Sequence, residues 1–120
     1  MRLRHIYYGV VKVKIFWRLR RLLAWLPVLW NDAEWDHAFL FRIMEFKLRR
    51  MARYHRRYGN LARSERTVQQ LTEAAALCSR MANEIYFANL STIAAEDAAY
   101  QRDLDRLLFL FKKYVREWWD

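Results

Sequence analysis

Lys47, Arg50, Tyr54 and Arg57 follow one another at steps of three, four and three residues. That spacing puts side chains on one face of an α-helix. Asp36, Leu40 and Ile43 precede them on the same face, so the stripe starts acidic, turns apolar and ends cationic. Guanidinium forks grip phosphate oxygens in pairs, an ammonium adds a point charge, and a phenol ring stacks on a nucleobase. The pattern therefore suits a phosphorylated, nucleotide-like ligand, with Trp30 or Trp35 as a second stacking surface. The competing reading is a solvated basic helix end. Lys47 lies between Phe46 and Leu48, and burial there would demand a carboxylate partner. Asp103, Asp105 and Asp120 are the candidates.

Catalytic chemistry has little to work with. Cys78 is the single cysteine, so no disulfide can form within the chain. It falls in a helical pattern with Ala74, Ala75 and Ala82 and reads as a small buried residue. No G-x-S-x-G elbow is present, and two glycines leave no room for a Gly-rich phosphate loop. His5, His37 and His55 stand far apart, and Asp36 beside His37 makes no metal-ligand set. The expectation is a protein without catalysis, metal or cofactor.

The elements that must position the stripe are helices. The first is expected from about Val10 to Leu26. Its apolar stripe is Val11, Ile15, Leu19, Leu22, Leu23 and Leu26, with Lys12, Lys14, Arg18 and Arg21 off it and Pro27 ending it. With Phe16, Trp17 and Trp25 this segment also matches a basic helix lying on a membrane, although its apolar face could instead join the core. The second helix is expected from Ala33 to Tyr58, with Asp32 as its cap and Gly59-Asn60 as its stop. Its run Ala38–Phe46 is apolar nearly all round, which predicts burial on several sides and a homo-oligomer.

The third helix is expected from Ser64 to Leu90, with a stripe of Val68, Leu71, Ala75, Cys78, Ala82 and Ile85. The fourth is expected from Ala98 to Trp118, with Leu104, Leu107, Leu108, Phe111, Tyr114, Val115 and Trp118 as its core side. Short connections predict an all-α, four-helix body in one domain, 1–120: an antiparallel bundle of three long helices plus the basic N-terminal helix. Trp30, Trp35, Trp118 and Trp119 read first as core pillars.

Charge sorts the partners. Residues 1–30 carry seven basic residues and no acidic one, while residues 91–120 carry five and six, within a net charge of +9. A basic N-terminal half attracts phosphorylated small molecules, acidic proteins, nucleic acid or anionic membranes. No helix–turn–helix spacing is visible, which lowers the case for DNA. Uncharged runs are about half the ~20 residues needed to span a bilayer. A cytoplasmic setting suits the lone thiol.

Trp30-Asn31-Asp32-Ala33-Glu34-Trp35-Asp36, then Phe39-Leu40, then Phe46-Lys47-Leu48-Arg49-Arg50-Met51, resembles a family of small bacteriophage-encoded proteins. Its pattern is close to W-x-D-x-D/E-W-D-x-x-F-L followed by F-K-L-x-x-M. Asp103-Leu104-Asp105, Leu108-Phe109 and the ending Trp118-Trp119-Asp120 resemble the same family's tail. Two departures stand out. His37 replaces an aromatic, often Tyr, and Asn60-Leu61-Ala62 replaces a histidine-containing turn. The resemblance implies a phage protein in an infected bacterial cell, where such accessory proteins often act on host defence. The combined expectation is a counter-defence protein that sequesters an anionic ligand through Lys47, Arg50, Tyr54, Arg57, Trp30 and Trp35. A helical module gripping an acidic host protein is the alternative, and non-specific binding to nucleic acid or membrane comes after it.

Overall fold

A computed structural model describes the backbone of residues 2–12, and backbone with side chains for residues 13–32, 34–59, 64–86 and 92–118. The described residues form four α-helices: α1 (Arg2–Trp30), α2 (His37–Tyr58), α3 (Ser64–Ala82) and α4 (Ile93–Tyr114), the last followed by a 3-10 turn at Val115–Glu117. The all-α, helical-bundle class read from the sequence is the one observed. Contacts gather the chain into two compact units, Met1–Asp32 and Ala33–Asp120.

The first unit is α1. It runs past Pro27, which was expected to end it. Proline removes one N–H and crowds the preceding turn. The helix nevertheless completes one more turn, closed by Asn31 Nδ2 donating to the Pro27 carbonyl at 3.3 Å and the Asp32 N–H donating to the Leu29 carbonyl at 3.1 Å. Along its apolar stripe Ile15, Leu19, Leu22, Leu23 and Leu26 are all exposed.

The second unit is an antiparallel three-helix bundle centred on α3. Gly59 at the end of α2 meets Ser64 at the start of α3, while Glu45 and Arg49 face Cys78 further along. Residue numbers rise in α2 as they fall in α3. The α3–α4 pairings run the same way, with Arg80 on Asp103, Glu73 on Arg106 and Gln70 on Trp118. Leu71, Ala74, Ala75, Leu77, Cys78, Met81 and Ala82 make α3 the most buried element. The small members of that set let α2 pack closely across it, and Phe41, Leu48, Ala52, Leu107 and Leu110 close the core.

Local chemistry corrects several expected boundaries. Asp36 caps α2, not Asp32: its carboxylate accepts from the Ala38 N–H at 2.9 Å. α3 stops at Ala82 and not Leu90, since Asn83–Ile85 form a turn in which Glu84 has φ of 48°. That left-handed conformation ends a helix even without glycine. α4 begins earlier than expected, at Ile93, because the Thr92 hydroxyl accepts from the Ala95 N–H at 3.1 Å. On α4 the buried residues are Leu107 and Leu110, whereas Leu108 and Val115 face out.

Among the described tryptophans, Trp118 is the core pillar. It is buried, and its indole N–H donates to Gln70 Oε1 at 3.0 Å. Trp30 and Trp35, expected in the core, are 86% and 89% exposed. Trp30 ends α1 and Trp35 stands in the turn ahead of α2. Trp119 and Asp120 lie outside the described residues, as does the Asn60-Leu61-Ala62 departure.

Candidate functional site

The α2 stripe is a straight consequence of how α2 packs. Ala38, Phe39, Phe41, Leu48, Ala52 and His55 are buried. Leu40, Lys47, Tyr54 and Arg57 are therefore turned to solvent, with Ile43 and Arg50 half-buried at the edge. The run expected to be apolar all round is covered on one side only, and Leu40 stays 59% exposed. The ten-residue span from Lys47 to Arg57 covers about 15 Å at the helical rise. Lys47, Arg50, Tyr54 and Arg57 thus share an open ridge.

The ridge is held by its own aromatic rings. The Arg50 guanidinium lies 5.7 Å from the Phe46 ring centre and that of Arg57 lies 5.3 Å from the Tyr58 ring. Tyr54 and Tyr58 sit with ring centres 5.4 Å apart, and Tyr54 meets the buried His55 edge-on. Cation–π contact restrains the arginine stems while leaving the N–H fork free to donate.

Charge on the unit is distributed unevenly. Arg80 grips Asp103 with two hydrogen bonds, at 3.0 and 2.8 Å, and Arg106 grips Glu73 at 2.7 and 3.1 Å. On α2, Arg49 pairs with Glu45 at 3.0 Å. Among the described residues no carboxylate lies within ion-pair distance of Lys47, Arg50, Arg53, Arg56 or Arg57. The partner expected for Lys47 is not found among the described residues, and Asp120, one of the three candidates, lies outside them. Lys47 is exposed, and Asp103 is occupied by Arg80 and by the Tyr86 hydroxyl, which donates to it. The lysine stem points away from the bundle, so no burial demands a partner.

Trp30 and Trp35 are both largely exposed. Trp30 belongs to the first unit, and Trp35 stands in the turn ahead of α2, with its indole in solvent. Cys78 is fully buried, and burial pushes its thiol up to about 12, which leaves it protonated and unreactive. Glu34 and His37 have the spacing of a helical ligand pair, but Glu34 lies before α2 begins. Among the described residues no cluster of three or more His, Cys, Asp or Glu could hold a metal ion.

Sequence reasoning missed a concave feature elsewhere on this unit. A cleft of about 280 Å³ opens where the start of α2 meets the α3–α4 connection. His37, Glu84, Glu96, Asp97, Tyr86 and Tyr100 line it. Burial raises both tyrosines above the ordinary phenol range, and the carboxylate of Asp103 adds to the effect at Tyr86. The cleft is acidic in an otherwise basic protein. Its residues come from three segments, and the Glu84 turn that assembles them has no glycine to signal it.

Among the described residues no helix is long and apolar enough to cross a membrane. No protein-family model, curated protein or solved structure matches the chain.

Proposed function

We propose that this chain is a non-enzymatic phage accessory protein that binds and sequesters a phosphorylated, nucleotide-like anion through the outward face of α2. One observation carries the reading. The cations Arg80 and Arg106 are neutralised by carboxylates across the α3–α4 seam, whereas among the described residues no carboxylate lies within ion-pair distance of Lys47, Arg50 or Arg57. An uncompensated row of Arg and Lys beside Tyr54 is what a phosphate and a base require. Lys47, Arg50 and Arg57 would take the phosphate oxygens and Tyr54 the base. The resemblance to phage proteins supplies the setting, an infected bacterial cytoplasm, and the counter-defence role. The exposure of Leu40 on the same stripe supports a homo-oligomer, in which a second copy would wall the open ridge.

The openness of the ridge favours one other reading. A surface about 15 Å long without a roof also suits an acidic segment of a host protein. Native mass spectrometry of protein purified from bacteria separates the two. An oligomer that releases a small phosphorylated compound on denaturation is the expected result. A chain that stays empty after incubation with ATP and cyclic dinucleotides, but retains one acidic host protein, would overturn the sequestering role.

A further inference from the structure

The exposed face of α1 has a different chemistry from the α2 ridge. Ile15, Leu19, Leu22, Leu26 and Leu29 recur at steps of four and three, and each is between 48% and 61% exposed. At 100° per residue, Phe16, Leu23 and Trp30 widen this stripe to roughly 140°, a little over a third of the helix circumference. Lys14 and Arg21 lie on the polar side and Arg18 at the edge of the stripe, gathered beside Trp17, over whose ring Arg20 packs at 5.5 Å. So much apolar surface on one helix needs an occupant.

Charge decides which. Residues 1–31 contain seven Lys and Arg and no Asp or Glu. A second copy of α1 seated on the stripe would bring another seven positive charges and no carboxylate to meet them. The flanking positions of a helix pair would then repel where pairing usually needs opposite signs. A seam of alternating steps is also narrow, and this stripe is too wide for it. An anionic bilayer answers both features. Leucines sink below the headgroups, arginines and lysines reach lipid phosphates, and tryptophan sits at the boundary. α1 has too little apolar length to cross the bilayer, so the helix lies in its plane.

We infer that α1 is a membrane-surface anchor that inserts the Ile15–Leu29 stripe into anionic lipid. Flotation of the full chain with vesicles tests it. One set is phosphatidylcholine alone and the other contains phosphatidylglycerol. The protein should float with the second set and stay down with the first. Leu19→Glu with Leu22→Glu should lower the bound fraction by about tenfold or more, because each change removes a buried leucine and adds a repelled charge. Arg18→Glu with Arg21→Glu, at the edge of the stripe and on the polar side, should weaken binding too while sparing the apolar residues. Three results would overturn the inference. Wild type could fail to float with phosphatidylglycerol. The leucine variant could bind as well as wild type, which would reduce the attraction to surface charge alone. Or wild type could be an oligomer in solution that the leucine variant dissociates, which would make a second copy the occupant.

Discussion

Replacing Trp118 by Phe tests the core seam with a magnitude that the structure supplies. Trp118 is 4% exposed, packs against Phe111 with ring centres 5.6 Å apart, and donates its indole N–H to Gln70 Oε1 at 3.0 Å. Phenylalanine keeps most of the apolar contact and loses the donor. Gln70, itself nearly buried, is left with an acceptor that water cannot reach. Orphaning a buried polar group costs about 1–3 kcal/mol. In a unit of about 90 residues that lowers the melting temperature by roughly 5–20 °C. Trp118→Ala, which also opens a cavity, should cost about 3–5 kcal/mol. Urea unfolding of Trp118→Phe, Gln70→Leu and the double variant isolates the pair. The double variant should be more stable than the sum of the singles allows, by about 0.5 kcal/mol or more, because no polar group is left stranded. Additive singles, or a Trp118→Phe protein as stable as wild type, would refute the reasoning.

Two further predictions concern the turn after α2 and the buried thiol. A Cβ at Gly59 would stand 2.4 Å from the His55 carbonyl oxygen and 2.7 Å from Ser64 Cβ, although its φ of −64° suits any residue. Gly59→Ala should thus destabilise by about 1–3 kcal/mol through crowding alone, read as a lower urea midpoint. Cys78 keeps its proton in the fold up to about pH 12 but loses it near 9.0 when unfolded. The native state therefore holds the extra proton, and its contribution is complete below pH 9.0 and is lost as pH climbs toward about 12. Stability should fall by roughly 1.4 kcal/mol per pH unit from this group, and Cys78→Ala should remove that slope. Tyr86, shifted the same way, adds its own loss only above its ordinary value of 10.0.

The helices themselves were legible because apolar periodicity survives in sequence. Leu71, Ala75, Cys78 and Ala82 marked the buried side of α3, and Leu107 that of α4. Boundaries were harder: Asp32 reads as the cap of α2, but Asp36, four residues on, is the one whose carboxylate meets a helix N–H. The Glu84 turn was hidden because glutamate seldom takes a left-handed conformation. Pro27 misled in the opposite direction, because a helix can keep its final turn when side chains and flanking amides close it. The outward α2 stripe was readable as a stripe, but whether it faced a pocket was not. That depended on Leu48 and Ala52 claiming the α3 side. Trp30, Trp35 and Trp118 show the limit of composition: all three stand at or near helix ends, yet the first two are exposed and the third is buried.

The claim that α2 carries the binding face is tested most directly by titrating a cyclic dinucleotide and ATP, by calorimetry, into wild type and into protein carrying both Arg50→Ala and Arg57→Ala. Arg57 is exposed and Arg50 sits half-buried at the edge of the ridge, neither of them in the core, so the variant should fold, and thermal melting beside wild type checks that it does. The account predicts saturable binding to at least one probe by wild type and a loss of about tenfold or more in affinity for the variant, as expected when two charge-assisted contacts are removed. A variant that binds as tightly as wild type would contradict it, and so would a wild type that binds neither probe.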